Sequence, residues 1–248
     1  MNLPRTLAVA SLLLPLLLPG CATNPYARFD DPSDVCRFAR APLLEMGHDF
    51  EATVLGATAI GTGVGAASGA AIGRSWQDAL IGAAAGAMAG ALGGYMKAKN
   101  DQARTSGEVL GLIDQDAAHD TVTMRQASNA ITNLIDCRNG QTRTIEAAYS
   151  GQQMTRGQAL DGYRMVQART KEDDELIQAL LGAADKRADN YIGGRAQALR
   201  LNDPARAASP ATQQLSASRG DAAAKEAAYQ RFRAGLAQRI NDLEKAVG

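Results

Sequence analysis

The chain has 248 residues with 26 basic and 26 acidic side chains, so it carries no net formal charge and lacks the broad basic field that favours nucleic acid. Its aromatic residues, one Trp, six Tyr and four Phe, are few for this length, which argues against a large sheet-based enzyme core.

The first twenty residues hold one charge, Arg5, and an apolar run from Leu7 to Leu18 that ends at Pro19-Gly20-Cys21. That run is too short to span a bilayer and predicts a secretory signal peptide over residues 1–20. Leu18, Gly20 and Cys21 fit a bacterial lipobox, in which the cysteine is acylated and becomes the mature N-terminus. Pro19 departs from the usual small residue and leaves ordinary cleavage after Ala22 as the alternative. With Cys21 acylated, Cys36 and Cys137 remain as an even pair in an oxidising compartment. A disulfide is expected between them, with two unpaired buried thiols as the alternative. The two cysteines and the distant His48 and His119 show no ligand spacing, so neither a metal nor a cofactor is expected.

Residues 21–30 read as a polar tether. A helix is predicted over 31–50, opened by Asp31 with Pro32 in its first turn and Asp34 nearby, and it carries Cys36. Next come two charge-free runs, Ala52 to Gly73 and Ala79 to Met96, of 22 and 18 residues. At helical rise they reach roughly 33 and 27 Å, each close to one hydrocarbon thickness. Gly61, Gly65, Gly69 and Gly73 recur every four residues in the first run, and Gly82, Gly86, Gly90 and Gly94 in the second. Glycine costs a soluble helix about 1 kcal/mol relative to alanine, so the repeat points to close backbone packing along one helix face. The short connector Arg74 to Asp78 predicts an antiparallel hairpin over 51–97. Ser75 suits its N-cap, and Trp76 suits a membrane interface. A hairpin buried in a soluble protein or shielded by other copies is the alternative to insertion.

Leu18-Pro19-Gly20-Cys21 and the glycines from Gly61 to Gly94 resemble those of the glycine-zipper lipoproteins of the bacterial envelope, among them the rickettsial seventeen-kilodalton surface antigen and SlyB-like outer-membrane lipoproteins. The resemblance implies a lipoprotein linked to envelope integrity, with no catalytic residues to carry over. Ala22 follows the candidate lipid cysteine where retained inner-membrane lipoproteins carry Asp, which implies transfer to the outer membrane. The roughly 150 residues beyond the zipper have no counterpart in those short relatives.

Residues 98–201 are predicted as a periplasmic helical bundle. Leu110, Ile113, Ala117, Asp120, Met124, Ala127, Ile131 and Leu134 step by three and four, interrupted only by Asp120, and Asn139-Gly140 reads as a stop. A second stripe follows a Thr155–Gln158 capping box and runs through Tyr163, Val166, Thr170, Asp173, Ile177, Leu180, Ala184 and Tyr191. Residues 202–221, rich in Pro, Ser, Ala and Gln, read as a linker. Residues 222–248 read as an amphipathic helix through Tyr229, Phe232, Leu236, Ile240, Leu243 and Val247. That helix either packs back on the bundle or dimerises, or it meets a partner surface.

The fold class expected is therefore all-α: a zipper hairpin followed by a long-helix bundle or coiled-coil-like domain. No nucleophile elbow, HExxH, phosphate loop or Rossmann fingerprint is present, and Glu172-Asp173-Asp174-Glu175 reads as a solvated face, since consecutive carboxylates on a helix point around its circumference. The expectation is a non-enzymatic outer-membrane lipoprotein, facing the periplasm, that self-associates through its zipper and scaffolds an envelope assembly. Its expected partners are membrane lipid, further copies of itself and an envelope protein, with no nucleic acid. An oligomeric pore formed by the hairpin is the alternative, disfavoured because the second run has almost no polar residue to face water.

Overall fold

The computed structural model of the protein describes residues 29–47, 92–93 and 95–246. Among these residues the architecture is all-α: α1 (37–47), α2 (95–102), α3 (Ser106–Ser150), α4 (Arg156–Leu199) and α5 (Pro210–Lys245), with a 3-10 turn at Pro204–Ala207. Helices α3 and α4, of 45 and 44 residues, are rods of roughly 65 Å.

The expected apolar stripes form the interior, with Val109 taking the inward position in place of Leu110. Ile113, Ala117, Met124, Ala127, Ile131 and Leu134 of α3 pack with Ile177, Leu180, Ala184 and Tyr191 of α4, while Tyr163 and Val166 of α4 pack with Leu236 and Ile240 of α5. Each large aliphatic side chain so buried contributes about 1.5–3 kcal/mol by leaving water. Polar pairs fix the antiparallel register: Asp114 meets Arg195 at 2.7 Å, Arg138 meets Asp173 at 2.8 Å, and Ile145 lies against Gly162. The third rod, α5, runs parallel to α3. It is pinned from Ser209 on Asp114, at 2.7 Å, to Glu244 on Arg164, also at 2.7 Å.

The helix ends follow local chemistry. Thr155 and Gln158 form the expected capping box, with Gln158 N donating to Thr155 Oγ1 at 3.2 Å and Thr155 N to Gln158 Oε1 at 2.8 Å. The stop expected at Asn139-Gly140 is absent, because α3 runs through it to Ser150 and ends at Gly151, next to Gln152 at φ 57°. Arg138 and Thr142 are both buried on either side of Gly140, so tertiary packing carries the helix across it. The linker expected over 202–221 shrinks to a short connection. Ser209 and Thr212 form a second capping box with Pro210 in the first turn, and α5 starts there, twelve residues ahead of the expected 222. At the other end, α1 begins at 37 where 31 was expected, because the Asp31 and Asp34 carboxylates accept from Ser33 N (2.7 Å) and Cys36 N (3.0 Å) and hold the chain in turns.

Helix α1 lies in the groove between α3 and α4 and buries Cys36, Arg40, Leu43 and Met46. Helix α2 packs on the same two rods nearer their other end: Met96 and Tyr95 lie over Gly194 of α4, and Tyr95 donates to Asp116 of α3 at 2.8 Å. A Cβ on Gly194 would stand 2.9 Å from Met96 Sδ and 3.4 Å from Ile113 Cδ1, so the missing side chain is what admits α2.

Candidate functional site

Cys21, the proposed acylation site, and Gly61, Gly65, Gly69, Gly73, Gly82, Gly86, Gly90 and Gly94 lie outside the described residues, as do the hairpin connector and His48. What the structure describes is how the chain on either side of the zipper is held. Cys36 and Cys137 form a disulfide, with a Cα–Cα distance of 5.9 Å, that fastens the segment entering the zipper to α3. Cys137 sits well inside α3, because the helix continues to Ser150. On the return side, Tyr95 stacks at a tilt on Tyr191, with ring centroids 5.8 Å apart, and Lys99 Nζ reaches Asp116 at 2.7 Å.

Directly beneath the disulfide is a buried ionic layer. Arg138 Nη2 contacts Asp34 Oδ2 at 2.7 Å while its Nε contacts Asp173 Oδ2 at 2.8 Å. Arg40 Nε donates to Asp173 Oδ1 at 2.7 Å, Arg40 Nη2 lies 2.7 Å from Asp34 Oδ2, and Arg40 Nη1 donates to the Phe29 carbonyl at 2.7 Å. Tyr229 of α5 donates its hydroxyl to Asp173 Oδ2 at 2.6 Å. Arg40, Arg138 and Asp173 are fully buried. Two guanidinium and two carboxylate groups balance in charge, and the planar forks of the arginines fit the carboxylates at several edges, as burial of such groups demands. The layer divides the interior into a long core and a smaller cluster of Tyr163, Val166, Leu236 and Ile240 near the α3–α4 turn.

This overturns the expectation of a solvated Glu172–Glu175 face. Asp173 points into the bundle, and Asp174 is largely buried too, met by Arg233 Nη1 at 2.5 Å and by Gln230. Asp173 lies in the α4 stripe seven residues from Val166, and that periodicity fixes which of the four carboxylates turns inward. Asp120, the interruption in the α3 stripe, is the second instance. Arg187 Nε and Nη2 grip its carboxylate at 2.5 and 2.8 Å, and Tyr191 donates to it at 2.6 Å.

The electrostatics follow the packing. Burial alone would raise the Asp34 carboxyl, but hydrogen bonds from Arg138 and the Cys36 N–H outweigh it and hold the group below its ordinary range. Burial, then the neighbouring Asp173 carboxylate, pushes the Tyr229 phenol well above its ordinary value. Burial raises Tyr191 too, with Asp120 adding to the effect. Asp174 is raised, chiefly by burial. The charged groups of the two layers are met by one another and by protein hydroxyls, and only the Arg187 side chain among the arginines keeps a partly exposed edge. Among the described residues no three His, Cys, Asp or Glu side chains are arranged to hold a metal ion, and His119 is exposed. The arrangement fastens helices together; its chemistry is that of a clamp. Sequence reasoning missed Arg40 and Arg138, although the two stripe aspartates were a signal that buried cations must exist.

Among the described residues no helix is long and apolar enough to cross a membrane. Comparison with known proteins bears on the remainder of the chain: residues 1–98 match a family model described as YMGG-like Gly-zipper. Neither a curated protein nor a solved structure matches the chain. The matched region ends two residues beyond Met96, on the contact that seats α2 against Gly194, and a glycine zipper speaks for association with a membrane. Residues 1–98 are thus similar to the YMGG-like glycine-zipper model, over less than half of the chain, and the three long helices stand outside that match.

Proposed function

We propose that the chain is a non-enzymatic outer-membrane lipoprotein, acylated at Cys21, whose zipper self-associates in the bilayer and whose bundle scaffolds an envelope assembly from the periplasmic side. The observation that carries this reading is the double fastening of the zipper. The segment before it is bonded to α3 by the Cys36–Cys137 disulfide, and the segment after it is seated on α3 and α4 by Tyr95 and Met96. A rigid bundle joined at both ends to a glycine-rich apolar segment passes zipper contacts on to whatever the bundle binds, and a disulfide suits an oxidising compartment. The polar layers inside the bundle do structural work and leave its outer surface as the place where an envelope protein would dock.

The test is fractionation of cells fed labelled palmitate, comparing wild type with Cys21→Ser and following both membranes through carbonate extraction. Label lost in the variant, with protein still resisting carbonate, supports both the lipid and an inserted zipper. Absence of label in the wild type rejects the lipoprotein. Gly65→Leu and Gly86→Leu should abolish crosslinked oligomers and leave the bundle folded, and oligomers that persist in both variants rule out the zipper as the interface.

A further inference from the structure

We infer that the outer face of α1 is a membrane-docking surface, so that the bundle lies with this side against the lipid bilayer; the inference rests on the reading of the zipper hairpin as membrane-inserted. Helix α1 and the residues leading into it carry apolar side chains on both sides. The inner side buries Cys36, Leu43 and Met46 beside Arg40, while Val35, just before the helix, and Phe38 stand outward at 69% and 75% exposure, followed along the outer face by exposed Ala41, Pro42 and, next to the zipper, Glu45. Burial against the bundle accounts for the inner side only. Arg37 lies over the Phe38 ring, 4.5 Å from its centroid, an aromatic and cation pair suited to the headgroup level of a bilayer.

Three attachments converge on this side. Phe29 is buried against the bundle and lies eight positions after Cys21, so the backbone of an acylated Cys21 can lie no more than about 28 Å from Phe29. The chain enters the zipper just after Met46, which lines a groove with Gln126, Asn129 and Ala130 of α3. It returns at Leu92 and Tyr95, beside Gly193 and Asp116. Along α3 the span from Asp116 to Ala130 is about 20 Å at helical rise. Exposed Val35 and Phe38 are thus placed on the segment by which the chain enters the zipper. A bilayer held to the entry point meets Val35 and Phe38.

The experiment uses the full-length protein purified from membranes, with its single tryptophan removed by Trp76→Phe and a reporter introduced by Phe38→Trp. A second protein carries Ala227→Trp instead, at an exposed position of α5 two residues from the inward-facing Tyr229. Both are reconstituted into phosphatidylethanolamine–phosphatidylglycerol vesicles containing a lipid brominated near the top of its acyl chains. The expected result is blue-shifted, strongly quenched emission from the Phe38→Trp protein and unshifted, unquenched emission from the Ala227→Trp protein. Unquenched, unshifted emission from both, in vesicles that retain the protein after carbonate, overturns the docking surface and leaves the inserted zipper standing. Emission from the Phe38→Trp protein that is blue-shifted already in detergent and unquenched in vesicles assigns the face to a second copy and overturns it equally. Release of both proteins by carbonate removes the inserted zipper and the docking surface with it.

Discussion

The bundle contains the same device twice, an aspartate in an apolar stripe held by arginine and by a tyrosine hydroxyl, and the two copies differ in what they hold. The Asp120 layer joins α3 to α4 through Arg187, whose side chain is 13% exposed. The Asp173 layer is sealed, and it recruits a second arginine, Arg40, from α1 as well as Tyr229 from α5. Reach to solvent separates a local pin from a clamp: Arg187 keeps an edge open to solvent, whereas Arg40 and Arg138 depend wholly on protein groups, chiefly the two carboxylates. The sealed layer lies directly under the disulfide, so the covalent and ionic fastenings of α1 act at one level of the bundle.

The largest effect is expected from opening that level covalently. The Cys36→Ser, Cys137→Ser double variant gives up a crosslink spanning 101 residues, worth about 4–5 kcal/mol in the chain-entropy model. Urea unfolding should show a midpoint lowered accordingly, with protease cutting first near α1. An unchanged midpoint would mean that the ionic layer alone holds α1. Next comes the contrast between the layers themselves. Asp173→Ala leaves two buried guanidiniums sharing Asp34 as their one buried carboxylate and should cost about 3–5 kcal/mol. Asp120→Ala leaves one arginine with an edge to solvent and should cost about 1.5–3 kcal/mol. Equal losses in thermal or chemical unfolding would show that exposure of the arginine is not what distinguishes the two sites.

The tyrosines sharpen the same comparison through pH. Tyr191 and Tyr229 are raised above their ordinary value near 10 in the folded chain, principally by burial. Their contribution to stability is complete below the unfolded value and is lost as pH rises towards the folded one, because the unfolded chain then binds fewer protons. Thermal melts should fall in Tm above about pH 10, and Tyr229→Phe should flatten that fall. An alkaline slope identical in Tyr229→Phe and wild type would place the sensitivity elsewhere.

The long helices were legible because α3 and α4 bury side chains at the spacing their sequences display, down to the Thr155–Gln158 cap. The first half of α5 was not. Its inward positions there are Thr212, Leu215, Ser218 and Ala222, a helical stripe built mostly of small and polar residues that no hydropathy contrast reveals. The inward turn of Asp173 was implicit in its stripe position but masked by three neighbouring acids. Arg40 and Arg138 could be identified only as partners of carboxylates already known to be inside. Asp34, read as an ordinary first-turn acid, instead holds the chain short of the helix and serves the ionic layer, a contact made across 104 residues of sequence that local pattern cannot anticipate.

The smallest effect tests whether glycine matters by position or by type. Gly140 lies inside α3 with nothing within 4 Å of where a Cβ would be, whereas the same atom on Gly194 would press on Met96 and Ile113. Gly140→Ala should therefore stabilise the bundle by about 0.5–1 kcal/mol, the helix-propensity gain with no steric charge against it. Gly194→Leu should destabilise it by about 1–3 kcal/mol through overpacking, and it should unseat α2. Hydrogen exchange can separate the two, since loss of α2 predicts faster exchange over 95–102 in Gly194→Leu and unchanged exchange there in Gly140→Ala. If both substitutions move stability the same way, the close approach at Gly194 is not what holds the chain emerging from the zipper. The disulfide and the sealed layer would then be its main attachment to the bundle.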